Sequence, residues 1–391
     1  MAYKTTILLY KLTMNLYIYF FCFIILTASC KTPSFVKIKE ICYHTGTAVL
    51  WRNSGTFFNQ ANHTEYIYFA DVMQEKKLML FTLNGTLDKE ISLKKALDWH
   101  NVSGVIVKSL DTIIILDHYS LNSHRITFTD SSGYCWRKII IQQTENNDIF
   151  QYRHSPFGNS LCDHSLILTS IWFKDKNEPQ ADGSPETMQP YYLNLYKSPC
   201  VLLFDFHTLK HQFALDTMWR IFCSDTSLFF GTNIYNTYEN NNLFLYTNIS
   251  NKIYVTDIIN FNIKDTIRIN SKYTKIGINP YPMKEYEKFL QDYLVSGKIL
   301  NILYDKYTRL YYIITWHEAS KDQIPFFSER PFSIHIYNHR FKKLNEHYFE
   351  GNKYDPRDCI VTKEGLLIKH NDNNKSYNPT TIKYDLYEIK K

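Results

Sequence analysis

Two short segments bring together side chains that could bind a metal ion. Trp316-His317-Glu318 begins like the zinc-peptidase pattern H-E-x-x-H, and Cys162-Asp163-His164 places three ligand types side by side. The first segment lacks the second histidine, because position 321 is Lys, and its composition is typical of a strand end. In the second segment, neighbouring residues of a strand would point to opposite faces and would not chelate one ion together. Neither segment predicts a metal centre.

Other ligand-type residues occur where turns are expected. Asp130-Ser131-Ser132-Gly133 and Asp372-Asn373-Asn374 carry oxygen atoms at short spacing, but neither matches the calcium-binding loop pattern. His207 and His211 lie on either side of a predicted turn. Because tight turns prefer Asp, Asn, Ser and Gly, we expect these residues to form turns. The sequence therefore predicts no metal and no cofactor.

Patterns for covalent catalysis and phosphate binding are missing from the sequence. It contains no G-x-S-x-G, no P-loop and no G-x-G-x-x-G. Asp205, Asp257 and Asp305 stand near predicted strand ends, where turn formation is their default role. The carboxylate pair of a glycoside hydrolase is defined by a separation in space, which a sequence does not give. No catalytic residue is predicted, and a hydrolase site built from distant loops stays open.

Composition and charge favour a β-rich protein that does not bind nucleic acid. The formal net charge is +6, from 44 Lys and Arg against 38 Asp and Glu, and no run of five like charges occurs. Hydrophobic residues make up 45% of the chain, which is enough for a sizeable core. The abundance of Tyr (31) and Phe (26) beside only 12 Gly favours strands.

The N-terminus has the pattern of an export signal. Lys4 and Lys11 precede or flank an apolar stretch over residues 12–26, and small residues follow. The ending Leu26-Thr27-Ala28-Ser29-Cys30 resembles a bacterial lipobox, where the chain is cut before the Cys and its thiol receives a diacylglyceryl group. The resemblance predicts a lipoprotein signal peptide over 1–29 and lipidation at Cys30. An ordinary cleavable signal and an uncleaved anchor are the alternatives.

Lipidation at Cys30 implies a protein anchored in the bacterial cell envelope. Each buried methylene of the acyl chains contributes about 0.8 kcal/mol of membrane affinity, so several chains anchor stably. Some surface-displayed lipoproteins carry acidic residues just after the Cys, and Lys31-Thr32-Pro33-Ser34 has none. We therefore expect an outer-membrane location that faces the periplasm, with the membrane as one partner.

Six cysteines remain in the exported part: Cys42, Cys135, Cys162, Cys200, Cys223 and Cys359. An oxidising compartment permits disulfides, but the spacing does not give their connectivity. No C-x-x-C occurs, which argues against a zinc ribbon or a dithiol redox site. Free buried thiols or one or two structural disulfides are expected.

Strand-length apolar runs separated by turn residues extend through the exported part. Examples are Glu65–Phe69 (EYIYF) and Leu310–Trp316 (LYYIITW). Clear helical periodicity occurs only in Met283–Leu294, which follows two prolines and precedes Gly297. These patterns predict an all-β protein with one inserted helix near 283–294.

A weak repeat organises the predicted strands. Six apolar cores, interpreted as the second strand of each unit, are each followed closely by Asp or Asn: Leu78–Phe81, Ile126–Phe128, Val201–Phe204, Ile253–Val255, Ile334–Tyr337 and Ile382–Tyr384. Their starts are 48, 75, 52, 81 and 48 residues apart, and the short spacings suit a four-stranded propeller blade of about 40–50 residues. Insertions at Lys174–Pro190 and around the helix account for the long spacings.

The repeat predicts a six-bladed β-propeller of four-stranded antiparallel blades, forming a single domain over 30–391. A ring of blades protects strand edges, and an N-terminal strand near Phe35–Ile41 is expected to complete the last blade. A pair of two-sheet sandwiches or an irregular β-protein is the alternative fold.

Two stretches carry a family resemblance. The run Tyr354-Asp355-Pro356-Arg357-Asp358-Cys359-Ile360-Val361-Thr362-Lys363-Glu364-Gly365-Leu366 resembles the ending of an uncharacterised lipoprotein family of Bacteroidetes. Tyr304-Asp305-Lys306-Tyr307, leading to Leu310-Tyr311-Tyr312, is similar to the same family. The resemblance implies a six-bladed propeller and an envelope location, and it brings no catalytic residues.

Two functions follow from these expectations. The first is a membrane-anchored binding or scaffold propeller for an unidentified peptide, glycan or protein partner. The alternative is an envelope hydrolase that acts on a glycan or other exported substrate with a site built from propeller loops. Fold alone does not decide between them. Clustered carboxylates or histidines in the centre of the ring would favour chemistry, and aromatic and amide side chains would favour binding.

Overall fold

The computed structural model describes residues 33–47, 53–97, 102–120, 123–142, 144–145, 148–153, 161–162, 165–174, 201–214, 234–247, 249–279, 281–282, 285–321, 329–371 and 380–390. The predicted signal peptide (1–29) and Cys30 lie outside these residues. Within these ranges the chain forms strands β1–β26 and one helix, α1.

Five sheets have four antiparallel strands each. Blade 1 consists of β2 (Ser54–Asn59), β3 (Thr64–Asp71), β4 (Lys77–Thr82) and β5 (Leu87–Ser92). Blade 2 consists of β6 (Val102–Ser109), β7 (Thr112–Ser120), β8 (Ser123–Thr129) and β9 (Cys135–Gln142). Blade 3 consists of β16 (Ile234–Glu239), β17 (Asn242–Thr247), β18 (Lys252–Thr256) and β19 (Ile263–Arg268). Blade 4 consists of β20 (Lys298–Asp305), β21 (Leu310–Trp316), β22 (Phe332–Asn338) and β23 (Lys343–Phe349). The closing blade has the order β24 (Tyr354–Thr362), β25 (Gly365–His370), β26 (Thr381–Lys390) and β1 (Ser34–His44).

The sheet between blades 2 and 3 has six strands. They are β10 (Thr144–Glu145), β11 (Asp148–Arg153), β12 (Leu161–Cys162), β13 (Ser165–Lys174), β14 (Val201–Asp205) and β15 (His211–Ala214). The order is β10-β11-β13-β14-β15, with β12 paired to β13. The prediction of six four-stranded blades is therefore wrong in number, since five such blades are present. Two-residue strands such as β10 and β12 have no apolar run, so the sequence pattern did not reveal them.

The blades are arranged as a propeller. The first strands of neighbouring blades contact each other near the axis: β2 contacts β6 and β24, and β20 contacts β16 and β24. Each interface between adjacent sheets contains its own apolar cluster. The core therefore lies between the sheets, and the all-β prediction is confirmed.

Strand position within a blade explains the sequence patterns. Middle strands are covered on both sides by adjacent sheets, and every residue of β21 is buried, which matches its continuous run LYYIITW. Fourth strands lie at the rim, and β19 (IKDTIR) has one buried residue among six. Charged residues on such rim strands oppose edge-to-edge association.

The repeat was found in the right places but assigned to the wrong strand. The six predicted cores lie in β4, β8, β14, β18, β22 and β26, which are third rather than second along the sheet or its main four-strand run. The predicted N-terminal strand near 35–41 is confirmed as β1, which pairs with β26 and completes the closing blade.

The inserted helix is confirmed with slightly shifted bounds. Helix α1 covers Tyr286–Val295, whereas the prediction was 283–294, and residues 283 and 284 lie outside the described ranges. The predicted insertion at 174–190 also lies outside them beyond Lys174. Among the described residues, no helix has the length and apolarity needed to cross a membrane. Cys42, Cys135, Cys162 and Cys359 are free thiols, whereas Cys200 and Cys223 fall outside the description.

Candidate functional site

The antiparallel order gives the propeller two different faces. Turns from first to second and from third to fourth strands lie on one face, which we call the hairpin face. Connections from second to third strands and from one sheet to the next lie on the opposite face, which we call the connection face. Because helix α1 belongs to the connection between blades 3 and 4, the largest described insertion lies on the connection face.

Aspartates predicted to form turns do so on the hairpin face. The Oδ1 atom of Asp205 accepts hydrogen bonds from the backbone N–H groups of His207 (2.9 Å) and Thr208 (2.6 Å). Asp257 and Asp305 accept the same pair of bonds from the residues two and three positions later. These bonds lower the pKa of Asp205 and Asp257, so both carboxylates are engaged in local structure.

A groove of about 350 Å³ opens on the connection face beside α1. One wall is the C-terminal half of α1, another consists of residues 275–279 and Tyr281, and residues 318–321 form the third. Its polar lining consists of Lys275, Asn279, Tyr281, Asp292, Glu318 and Lys321. The groove thus presents amide, hydroxyl, ammonium and carboxylate groups within a small volume.

Asp292 has two hydrogen-bond partners within this groove. Its carboxylate accepts hydrogen bonds from Lys321 Nζ (2.6 Å) and from the Tyr281 hydroxyl. The hydrogen bond from Lys321 is the main reason that the pKa of Asp292 is lowered. Burial, together with the bond to Asp292, raises the pKa of Tyr281 to about 12. At neutral pH the groove therefore holds a fixed carboxylate flanked by a neutral hydroxyl and an ammonium group.

Arg330 fixes the helix that forms the groove wall. Its buried guanidinium donates hydrogen bonds to the carbonyls of Leu294 (3.2 Å), Val295 (2.8 Å) and Ser296 (2.8 Å). It also bonds the carbonyl of His317, on the adjacent wall. Carbonyls at a helix C-terminus lack intrahelical partners and favour a cation. Arg330 therefore joins the end of α1 to the β21–β22 connection.

An aromatic patch lies next to the groove and consists of Tyr273, His317 and Tyr348. Ring centroids are 5.3 Å apart between the two tyrosines and 5.2 Å apart between His317 and Tyr348. Tyr273 is 53% exposed and Tyr348 is 38% exposed, whereas His317 is buried. Its Nε2 atom lies 2.8 Å from Ser333 Oγ, and burial lowers the pKa of His317 to about 4. The patch therefore presents two tyrosine rings over a neutral imidazole.

Glu346 holds the loop that carries Tyr273. It accepts hydrogen bonds from Ser271 Oγ (2.5 Å), from the Lys272 backbone N–H (2.9 Å) and from Lys343 Nζ (2.8 Å). Because these bonds fix residues 271 and 272, the neighbouring ring of Tyr273 has a defined position. The Glu318 backbone N–H donates to Thr274 Oγ1 (2.9 Å), which joins the same loop to the groove.

A second polar cluster lies at the inner edge of the closing blade. A bulge in β24 between Asp355 and Cys359 interrupts the pairing with β25. Asp355 makes a two-point ion pair with Arg357, at 2.8 and 2.6 Å. Asp358 accepts a hydrogen bond from Ser54 Oγ at 2.8 Å, and burial raises the pKa of Asp358 to about 6.

The residues singled out from the sequence are not brought together. His317 closes β21 as expected, and it contributes to the aromatic patch rather than to a peptidase site. Cys162 is buried, whereas positions 163 and 164 lie outside the described residues, as do 372–374. His207 is exposed in a hairpin turn. The groove was missed because its walls are distant in sequence, although the 81-residue spacing between the cores starting at 253 and 334 marked the connection that forms it.

Comparison with known proteins identifies a likeness of fold. No protein-family model matches the sequence, and no curated protein matches it. Among solved structures, the chain is similar to a member of the DUF4221 family from Bacteroides vulgatus, with 19% identity, 92% of this chain and 99% of that chain covered, and a TM-score of 0.68. A protein from Bacteroides fragilis is 11% identical over 92% of this chain and 95% of its own, with a TM-score of 0.48.

The similarity to the Bacteroides vulgatus structure supports, for the fold alone, the resemblance to an uncharacterised Bacteroidetes family that the sequence indicates. Lipid attachment and envelope location stay predictions.

Proposed function

We propose that this chain is an exported, lipid-anchored propeller that binds a polar ligand in the groove and aromatic patch of the connection face. The groove carries this proposal, because it is a concave surface in which Asp292 holds Tyr281 and Lys321 in place through hydrogen bonds. Pre-positioned polar groups bind a ligand without a large cost in side-chain ordering. Anchoring through Cys30 in the outer membrane, facing the periplasm, completes the proposal.

The ligand that this surface fits best is a glycan. Tyrosine rings offer apolar faces for a sugar ring and lose little entropy on binding. The groove beside them supplies hydrogen-bond donors and acceptors of both charges, which suit hydroxyl groups. A peptide or a folded protein is the alternative ligand, and a screen that contains both glycans and peptides distinguishes these ligand classes.

The test screens glycan and peptide arrays with the full-length protein in detergent. A glycan hit is expected, and the double variant Tyr273→Ala/Tyr348→Ala should weaken its affinity about tenfold or more, since truncating an anchoring aromatic costs about 2 kcal/mol. Lys321→Ala should also lower the affinity for the same ligand. The control is Tyr134→Ala, which removes a 63% exposed tyrosine from the hairpin face of blade 2. Binding that resists all the connection-face variants would sink the proposed site.

The anchor is tested separately in a Gram-negative host. The wild-type protein should fractionate with membranes and show a diacylglyceryl group on its N-terminal peptide by mass spectrometry. Cys30→Ala should release it or leave the signal uncleaved. Identical behaviour of the two proteins would disprove lipidation without touching the binding site.

An envelope hydrolase is the second candidate, and the inner cluster is the observation that favours it. Asp355 and Asp358 lie three positions apart on a bulged innermost strand. Arg357 pairs with Asp355, whereas Asp358 is buried with Lys369 Nζ at 4.0 Å, and burial raises the pKa of Asp358 to about 6. A buried carboxyl group whose pKa is raised is typical of a general acid. Turnover of a glycan hit that Asp358→Asn abolishes, with binding retained, would establish this alternative.

A further inference from the structure

The closing blade carries a group of ligand-type side chains far from the groove. Glu40 lies on β1, His370 ends β25 and Asp385 lies on β26. Glu40 and Asp385 are direct register partners on adjacent strands. The Nε2 atom of His370 is 2.9 Å from Asp385 Oδ1 and 3.9 Å from Glu40 Oε2. The three ligand atoms all lie within 4.8 Å of one another.

These separations fit a small divalent ion. Zinc binds imidazole nitrogen and carboxylate oxygen at about 2.0–2.2 Å, so neighbouring ligand atoms of a tetrahedral site are about 3.3 Å apart. The separations of 2.9 and 3.9 Å lie on either side of that value, and sub-ångström side-chain movement would equalise them. The side chains of His370 and Glu40 are partly exposed, which leaves a route for the ion from solvent.

The buried carboxylate is already oriented by neighbouring donors. Asp385 Oδ2 accepts hydrogen bonds from the Tyr354 hydroxyl (2.5 Å) and is 2.7 Å from Lys37 Nζ. The Tyr354 hydroxyl is also within 2.7 Å of the Tyr387 hydroxyl. These contacts leave Oδ1 directed at His370. The neutral hydroxyl contacts from Tyr354 and Tyr387 fix the carboxylate, and outer contacts of that kind strengthen a metal site.

We propose that Glu40, His370 and Asp385 bind one divalent transition-metal ion, with zinc the best match, and that the ion fastens β1 to the closing blade. A histidine with two carboxylates suits zinc, and solvent completes the coordination. The ion takes the place of the proton between His370 Nε2 and Asp385 Oδ1, and His370 coordinates as the neutral imidazole that carries its proton on Nδ1. Because one ligand lies on the N-terminal strand β1 and two lie on the C-terminal strands β25 and β26, the ion would link the two ends of the chain.

Two lysines near the ligands repel a bound cation and therefore lower the expected affinity of the site. Lys37 Nζ contacts Asp385, and Lys383 Nζ lies 3.9 Å from Glu40 Oε1. Both lysine side chains are about half exposed, so they can turn into solvent when the ion binds. Their charges make the site weaker than one without them. Removing Lys37 should therefore tighten binding, which is a result that a purely structural ion pair would not give.

The experiment titrates zinc into the full-length, EDTA-treated protein by calorimetry and follows cobalt(II) absorption as a second readout. One equivalent should bind, Glu40→Gln and His370→Ala should each weaken binding about tenfold or more, and Lys37→Met should strengthen it. The control is His339→Ala, at an exposed hairpin of blade 4. Zinc should also raise the melting temperature of the wild type and not that of His370→Ala.

Failure to bind one equivalent, or full binding by both ligand variants, would overturn the proposal. Glu40 is partly exposed, so Glu40→Gln keeps the test decisive even if His370→Ala does not fold. Cys42→Ser reports on the only nearby thiol among the described residues, since Cys42 Sγ is 3.9 Å from Glu40 Oε1. Unchanged affinity in that variant supports the three-ligand site, and complete loss would replace it with a thiolate site.

Discussion

At the scale of single residues, two basic side chains, Arg330 and Lys298, are buried at the C-terminus of α1. Arg330 donates hydrogen bonds to four carbonyl groups. Its positive charge is favourable at the C-terminus of the helix, where carbonyl groups lack intrahelical partners. Lys298 Nζ lies 3.6 Å from the centroid of the Tyr293 ring, and burial next to Arg330 lowers the pKa of Lys298 to about 7. The two basic groups therefore differ, since Arg330 donates hydrogen bonds to four carbonyls, whereas Lys298 contacts the face of the Tyr293 ring and burial disfavours its charged form.

Replacement of Lys298 by methionine is expected to stabilise the protein at neutral pH. The pKa of this amine is lower in the folded than in the unfolded state, so its protonation opposes folding increasingly as pH falls from about 10 to 7. Lys298→Met removes that cost and should raise the free energy of unfolding by about 4 kcal/mol at pH 7. Urea unfolding at pH 7 and pH 9.5 measures the gain, which should shrink at the higher pH.

Lys264→Met is the matched control for this prediction, because Lys264 is exposed on the rim strand β19. It should leave the unfolding free energy nearly unchanged at both pH values. Equal gains in the two variants would show that apolar substitution, rather than the buried charge, is responsible.

At the scale of elements, the turn between β24 and β25 depends on a close backbone approach. Gly365 has φ of +140°, and a Cβ atom placed there would lie 2.2 Å from the backbone oxygen of Tyr387 on β26. Gly46, after β1, also has a positive φ of +69°, but a Cβ there would meet no atom within 4 Å. Comparing alanine substitutions at the two glycines therefore distinguishes the cost of a positive φ from the cost of a steric clash.

Gly365→Ala is expected to destabilise the closing blade by about 3 kcal/mol, because β25 must move away from β26 in addition to the backbone strain. Gly46→Ala carries the strain alone and should cost about 1 kcal/mol. Differential scanning calorimetry of both variants measures the difference. Equal losses would mean that the close approach at Gly365 is relieved at no cost.

The same scale shows what the sequence could predict. The six third-strand cores were recognisable because apolar residues covered on both faces leave a local signal. Their position in the sheet was not recognisable, since the order of strands depends on pairing. The joining of β1 to β26 was predictable because a ring must close. The burial of Asp385 was not predictable, because this residue directly follows the last apolar core and yet lies fully buried within β26. The groove and the Glu40–His370–Asp385 group require contacts between distant segments.

At the scale of the whole molecule, buried neutral histidines connect stability to pH. His317 and His335 lie between blades 3 and 4, and burial lowers the pKa of both histidines, to about 4 for His317. His335 bonds Thr315 through Nε2 at 3.0 Å and has Glu346 at 3.8 Å on its other side. The interface between these blades is therefore built for uncharged imidazoles.

Stability should fall as pH decreases from about 6.5 to 4. In that range the unfolded chain binds protons at both histidines and the folded chain does not, which favours unfolding. The loss should reach about 3 kcal/mol for His317 alone. The unfolding free energy measured against pH in wild type and in His317→Gln/His335→Gln checks this, with a flatter profile expected for the double variant.

His339→Gln, which replaces an exposed histidine of the β22–β23 hairpin, provides the control and should keep the wild-type slope. A double variant with an unchanged slope would assign the acid sensitivity to carboxylates such as Asp292 instead.

The pairing of β1 with β26 also sets an order of events in time. Ser34 is the register partner of Lys390, which stands 356 positions later in the chain, so the closing blade has the longest loop to close. Blades 1 to 4 are each built from neighbouring strands and can form early. The ring itself waits for the last strand to become available. A chain that crosses a membrane with its N-terminus first therefore stays open until its C-terminal residues have followed, and folding finishes on the far side.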